Sequence, residues 1–166
     1  MQTATKLILS ALALAQLLAA QVACKPLLDA EMKAFENPLH MYTIAAVNGK
    51  TFMAESIFVG GNSYMRINGK WSPSGKTSDY TDLMQKKRPQ SSNATCSYVK
   101  DEAVNGEIAA VYSMNDVLAS GSKVASQIWI SKSKGVPLRQ EDDIETSRGK
   151  THNSTRYEYS NVKPPM

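Results

Sequence analysis

Asn-Gly recurs at Asn48-Gly49, Asn68-Gly69 and Asn105-Gly106, each time between two runs with strand character. A two-residue hairpin loop matches the twist of its strands when both central residues take positive φ. Asn-Gly tolerates that where most side chains resist it. Three such dipeptides in one short chain predict three tight hairpins and therefore a sheet built mostly from antiparallel neighbours. Softer turn signals stand at Gly60-Gly61-Asn62, Ser120-Gly121, Ser133-Lys134-Gly135 and Arg148-Gly149.

The segments between these turns read as strands. Residues 40–47 pair with 51–59, and 63–67 with a short return through Lys70-Trp71. Residues 95–102 pair with 107–114, 124–131 with 136–144, and 151–162 complete the sheet. Two helices interrupt the pattern. Pro26 suits a first helical position, Leu28, Met32 and Phe35 form a stripe, and Asn37-Pro38 ends it. The second begins near Ser78, carries Asp79 and Asp82 early and Lys86-Lys87-Arg88 late, and stops at Pro89. Acid first and base last complement the helix dipole. Tyr80, Leu83 and Met84 share one of its faces. The fold class is α+β: a curved antiparallel sheet, an incomplete β-barrel of about seven to nine strands, with two short helices.

The first residues, MQTATKLILSALALAQLLAAQVAC, place Lys6 before an apolar run too short for a bilayer, followed by Ala19, Ala20 and Ala23. Residues 1–23 are expected to be a signal peptide, leaving residues 24–166 as one domain with a single core. Hydrophobic residues make up 42% of the chain, which argues against disorder. The net charge is +4 and the pI about 9.0. Export argues against a nucleic-acid partner, so Lys86-Lys87-Arg88, Lys132/Lys134 and Arg148/Lys150 read as solvated surface, with an anionic lipid headgroup the one polyanion left in play.

The chain has two cysteines, Cys24 and Cys96. In an oxidising periplasm they can pair, closing a loop of about 72 residues worth on the order of 4 kcal/mol in the chain-entropy model. The alternative is a lipid anchor on Cys24 with Cys96 a free thiol. Gln21 stands where lipoprotein processing favours an aliphatic residue, which favours the disulfide.

Signals for catalysis are weak. Gly-Lys-Thr occurs at residues 49–51, 75–77 and 149–151, but the positions where a phosphate loop needs its leading glycine hold Ile44, Lys70 and Ile144. Ser131-Lys132-Ser133-Lys134 has the spacing of penicillin-recognising enzymes, yet it reads as a strand entering a hairpin rather than a helix start. His40 and His152 lie far apart without a ligand framework. Glu141-Asp142-Asp143 alternate across a strand, which suits solvated residues better than one cation. Asn93-Ala-Thr95 and Asn153-Ser-Thr155 fit the glycosylation pattern. The expectation is a protein that is not an enzyme and holds no metal or cofactor.

Apolar side chains are abundant on the strands. Phe52, Met53, Ile57, Phe58, Tyr64, Met65, Ile67, Ile128, Trp129 and Ile130 are the candidate lining of an apolar ligand cavity. The bland reading is a double-layered core in which Trp129 fills space. Within QIWISKSKGVPLR, Ile128 and Ile130 point one way and Trp129 the other. Pro137 lacks a donor and implies an edge or a bulge, with Arg139 directed away from Leu138 toward solvent.

The segments SYMRINGKW, LMQ, EAVNGEIAAVYS after a cysteine, QIWISKSKGVPLRQE and RYEYSNVKPP carry a family resemblance. From about Leu39 to Pro165 the chain resembles small exported proteobacterial proteins of the LolA/LolB-like and LppX-like group of lipoprotein carriers and lipid-binding proteins. The resemblance implies a half-barrel wrapped around helices and an apolar cavity for a lipid or acyl chain. It implies a periplasmic protein, with anchoring through Cys24 the alternative. A structural or interaction module that binds an envelope protein partner is the second functional expectation.

Overall fold

The computed structural model describes residues 24–87 and 94–165. The expected signal peptide, Arg88-Pro89 and Asn93 lie outside the described residues. Helix α1 occupies residues 24–34. Strands β1 (Leu39–Val47), β2 (Lys50–Val59), β3 (Asn62–Ile67) and β4 (Lys70–Lys76) follow, then α2 (Thr77–Lys87). The chain continues through β5 (Thr95–Val104), β6 (Glu107–Val117), β7 (Lys123–Ser131), β8 (Pro137–Thr146) and β9 (Gly149–Glu158).

The nine strands form one antiparallel sheet in the order β4-β3-β2-β1-β9-β8-β7-β6-β5. It is a curved, open sheet with β4 and β5 at its two edges. The last strand lies beside the first, so two meanders join in the middle. Asn48, Asn68 and Asn105 adopt φ of 49°, 52° and 51°, the left-handed conformation that the hairpin turns demand. The closing strand ends at Glu158, short of the expected Val162, and β4 runs past Trp71 to Lys76.

Helix α1 buries a different stripe from the expected one. Leu27, Ala30 and Ala34 face the sheet, whereas Leu28, Met32 and Phe35 are only partly covered. The alanines explain the rotation, since small residues allow helix and sheet to approach closely. Leu27 and Ala30 pack on Ile128 and Ile130, with Cys96, Tyr112 and Met114 beside them. Ala34 packs with Leu39 and Phe58. Fully burying a side chain of the size of Leu27 or Ile128 contributes about 2–3 kcal/mol.

Cys24 and Cys96 form a disulfide, S–S 2.03 Å, that ties the start of α1 to β5. That sulfur is therefore not free to carry lipid. Helix α2 starts after Gly75, where Asp79 Oδ2 accepts a hydrogen bond from Lys76 N at 3.0 Å and satisfies one end donor. Its Tyr80 meets the Phe58 ring edge-on at 4.8 Å, while Leu83 is exposed.

Candidate apolar binding cleft

Antiparallel partners point to the same side of a sheet, so the register sorts every strand residue onto the α1 face or the opposite face. Leu39 pairs with Phe58, Ser56 with Met65, Ala54 with Ile67 and Ala45 with Phe52. Phe52, Phe58, Met65 and Ile67 thus share the α1 face with Ile128 and Ile130. Met53, Ile57, Tyr64 and Trp129 lie on the opposite face. The ten candidate residues are thus divided between the two faces of the sheet. Trp129 packs with Ala109, Val111 and Leu138, apart from the cluster that holds Ile128 and Ile130.

Coverage along the α1 face is uneven. Phe58, Ile128 and Ile130 are buried, but Phe52 and Ile67 are 56% and 55% exposed. Both exposed residues lie toward the end of the sheet that carries the Asn48-Gly49 and Asn68-Gly69 turns. Ile44 and its partner Met53 are also exposed there, on the opposite face. Val117 and Leu118 extend the apolar rim at the β6–β7 turn.

At this turn end lies a cleft of about 890 Å³. Its apolar lining includes Val117, Val124, Ala125 and Ile144, and its lining residues come from β1, β9, β8, β7, β6 and β5. Six flat strands at about 4.8 Å spacing would span about 24 Å, twice the width of a compact cavity of this volume. The sheet must therefore curl around the cleft. None of the ten sequence-selected residues lines it. Val124 and Ile144, partners in register with Asp116 and Thr151, line it on the α1 face.

The cleft is also polar in places. His152 Nδ1 lies 2.9 Å from Asp143 Oδ1 and its Nε2 lies 3.1 Å from Glu141 Oε2. Asp143, through its hydrogen bond, raises the histidine above its ordinary pKa. Lys150 and Glu145 face each other at 4.0 Å. Asp116 also lines the cleft and is buried.

The opposite face carries a continuous row that sequence reasoning missed. Its successive partners are Lys100, Val111, Trp129, Arg139, Arg156, Tyr42, Glu55, Arg66 and Trp71, one from each strand. Arg139 lies over Trp129 at 4.7 Å and Arg156 over Tyr42 at 4.6 Å. Glu55 binds Arg66 at 2.9 Å, and the His40 ring stacks on Tyr42 at 3.9 Å. A smaller cleft of about 330 Å³ opens beside Arg139 and Arg156. Each residue is visible in the sequence, but the row exists only once eight pairings fix its register.

The remaining motifs serve turns. Glu107 accepts hydrogen bonds from Ser131 and, at 2.9 Å, from Ser133, and Lys134 pairs with it at 2.7 Å. Ser131 and Lys134 of the Ser-x-x-Lys pattern are thus both bound to one carboxylate. Among the described residues no group of three or more His, Cys, Asp or Glu could hold a metal ion. No described helix is long and apolar enough to cross a membrane.

No family model and no curated protein matches the chain. Solved structures similar to it include MucB, at 13% identity and a TM-score of 0.48 over 86% of this chain and 60% of MucB. The chain thus spans about 60% of the length of MucB. LprF from Mycobacterium bovis is 11% identical with a TM-score of 0.46, covering 89% of this chain and 96% of that one. A LolA superfamily protein from Nitrosomonas europaea is 10% identical with a TM-score of 0.27, covering 76% and 88%.

Proposed function

We propose that this chain is a non-catalytic, exported binding protein of the cell envelope that shields an acyl chain or another apolar ligand. The observation that supports this reading is the 890 Å³ cleft at the end of the sheet where Phe52 and Ile67 stand exposed on the α1 face. An apolar cavity with polar groups at a few points is the usual form of a small-molecule site. Exposed apolar residues gathered at one end are also the surface a partly buried lipid tail would cover.

Native mass spectrometry of gently purified protein is expected to show copurified lipid. Val124→Trp, which enlarges a half-buried side chain on the α1 face of the cleft, is expected to abolish both that lipid and the binding of a hydrophobic fluorescent probe. Lipid-free protein that ignores such probes contradicts the reading.

The row of Trp71, Arg66, Arg156 and Arg139 favours a second reading, an interaction module that binds an envelope protein. Aromatic and arginine side chains are the types that dominate protein interfaces. Crosslinking from this face in intact cells would then trap a polypeptide, and Val124→Trp, on the α1 face, would leave the trapped product unchanged.

A further inference from the structure

Asp116 is a buried carboxylate at the cleft, and one of its oxygens has no hydrogen-bond partner. It stands near the end of β6 opposite Val124, on the α1 face, and is 7% exposed. Its Oδ1 is buried and makes no hydrogen bond. The other carboxylates lining the cleft are served, Asp143 by His152 and Glu145 by Lys150. Asparagine would occupy nearly the same volume without a buried charge, so packing alone does not require an acid here. A polar group kept at a cost to the fold and placed at a ligand-sized cavity has the position of a binding anchor.

The sign of the missing partner follows from burial. Lys150 and His152 already face acids on the exposed strand surface. Lys123 also lines the cleft, but it is exposed and its register partner Val117 puts it on the face opposite to Asp116. An anionic headgroup would meet solvated cations, whose attraction water and salt screen. A cationic donor would meet a desolvated carboxylate, where screening is weaker and the interaction stronger. We infer that the cleft takes an amphiphile with an ammonium headgroup, which Asp116 binds while the chain lies along Val124 and Ile144 on the same face. This rests on the apolar-ligand reading above and adds the headgroup class.

Calorimetric titration with dodecylammonium, dodecyl sulfate and dodecyl maltoside, each below its micellar concentration, tests it. The wild-type protein is expected to bind dodecylammonium about tenfold or more tighter than dodecyl sulfate. Asp116→Asn is expected to remove most of that preference and to leave dodecyl sulfate within about twofold of wild type. Equal affinities in the wild type, or a preference for the sulfate, overturn the assignment. So does an Asp116→Asn protein that keeps the ammonium preference. Circular dichroism checks that the variant is folded, and the wild-type order decides by itself if it is not. If none of the three amphiphiles binds, the apolar-ligand reading falls, and the anchor with it. If all three bind alike, the cleft stands and only the anchor falls.

Discussion

The guanidinium of Arg139 lies over the indole of Trp129, 4.7 Å from the ring centroid, and Leu138, its neighbour in the chain, packs against the same side chain. Consecutive residues of a regular strand point to opposite faces, so alternation would send Arg139 away from Leu138. A bulge corrects that expectation. The register steps from Trp129 opposite Arg139 to Ile130 opposite Pro137, which leaves Leu138 as the extra residue. Pro137 offers no donor to the ladder, and the bulge accommodates it within a central strand. Arg139→Ala is expected to lower stability by about 1 kcal/mol, through the lost cation–π contact and the lost cover over Trp129. Urea unfolding followed by tryptophan fluorescence measures this.

The link between α1 and β5 is the next test. Cys24→Ser/Cys96→Ser frees the start of α1 and is expected to lower stability by up to about 4 kcal/mol, moving the urea midpoint down. Thiol counting on the denatured, unreduced mature protein is expected to find none, because the chain's two cysteines are joined to each other.

Glu107 contributes to the acid limb of stability. Lys134, and then Ser131 and Ser133, hold its pKa down to about 2, against 4.5 for a free glutamate. A lowered folded-state value means that the contribution is complete above pH 4.5 and is lost as pH falls through 2. Glu107→Gln is expected to cost about 1–2 kcal/mol at neutral pH and to flatten the stability profile across that window. Equilibrium unfolding at a series of acid pH values reads both effects.

His152 acts in the other direction. Asp143 raises its pKa above 6.5, so it stabilises the fold fully below 6.5 and loses that contribution as pH rises through the raised value. The side chain is half exposed, and solvent screening limits the effect to a few tenths of a kcal/mol. His152→Ala is expected to remove a small fall in melting temperature between mildly acid and mildly alkaline pH.

Asp116→Asn is expected to stabilise the ligand-free protein by about 1 kcal/mol, because it replaces a buried carboxylate whose Oδ1 has no hydrogen-bond partner. For a domain of this size that raises the melting temperature by about 3 °C. Calorimetry on lipid-stripped protein measures it, and a lower melting temperature contradicts the cost assigned to the charge.

Most of the fold was legible. The three Asn-Gly turns, the antiparallel pairs around them and both helices depend on local rules, and each stands close to where the residues put it. The buried stripe of α1 was misread because the large residues Leu28, Met32 and Phe35 drew attention, whereas close contact with a sheet selected Leu27, Ala30 and Ala34. The candidate site was legible only in part. Phe58, Ile128 and Ile130, expected to line a cavity, lie beneath α1, whereas the cleft at the turn end is lined on that face by Val124, Ile144 and Asp116. Which residues on one face end up beside open space depends on how far α1 covers the sheet, and no local pattern reports that.

The sequence by itself determined where the chain turns and which residues alternate across each strand, because positive φ and a repeat of two are properties of neighbouring residues. Tertiary structure alone decided that β9 would lie beside β1, that Tyr42, Arg156, Arg139 and Trp129 would form one row, and that the sheet would curl around Asp116. Those outcomes depend on register and twist accumulated over many strands. A single shift at the Leu138 bulge moves every side chain beyond it, so they are properties of the whole sheet and of no segment within it.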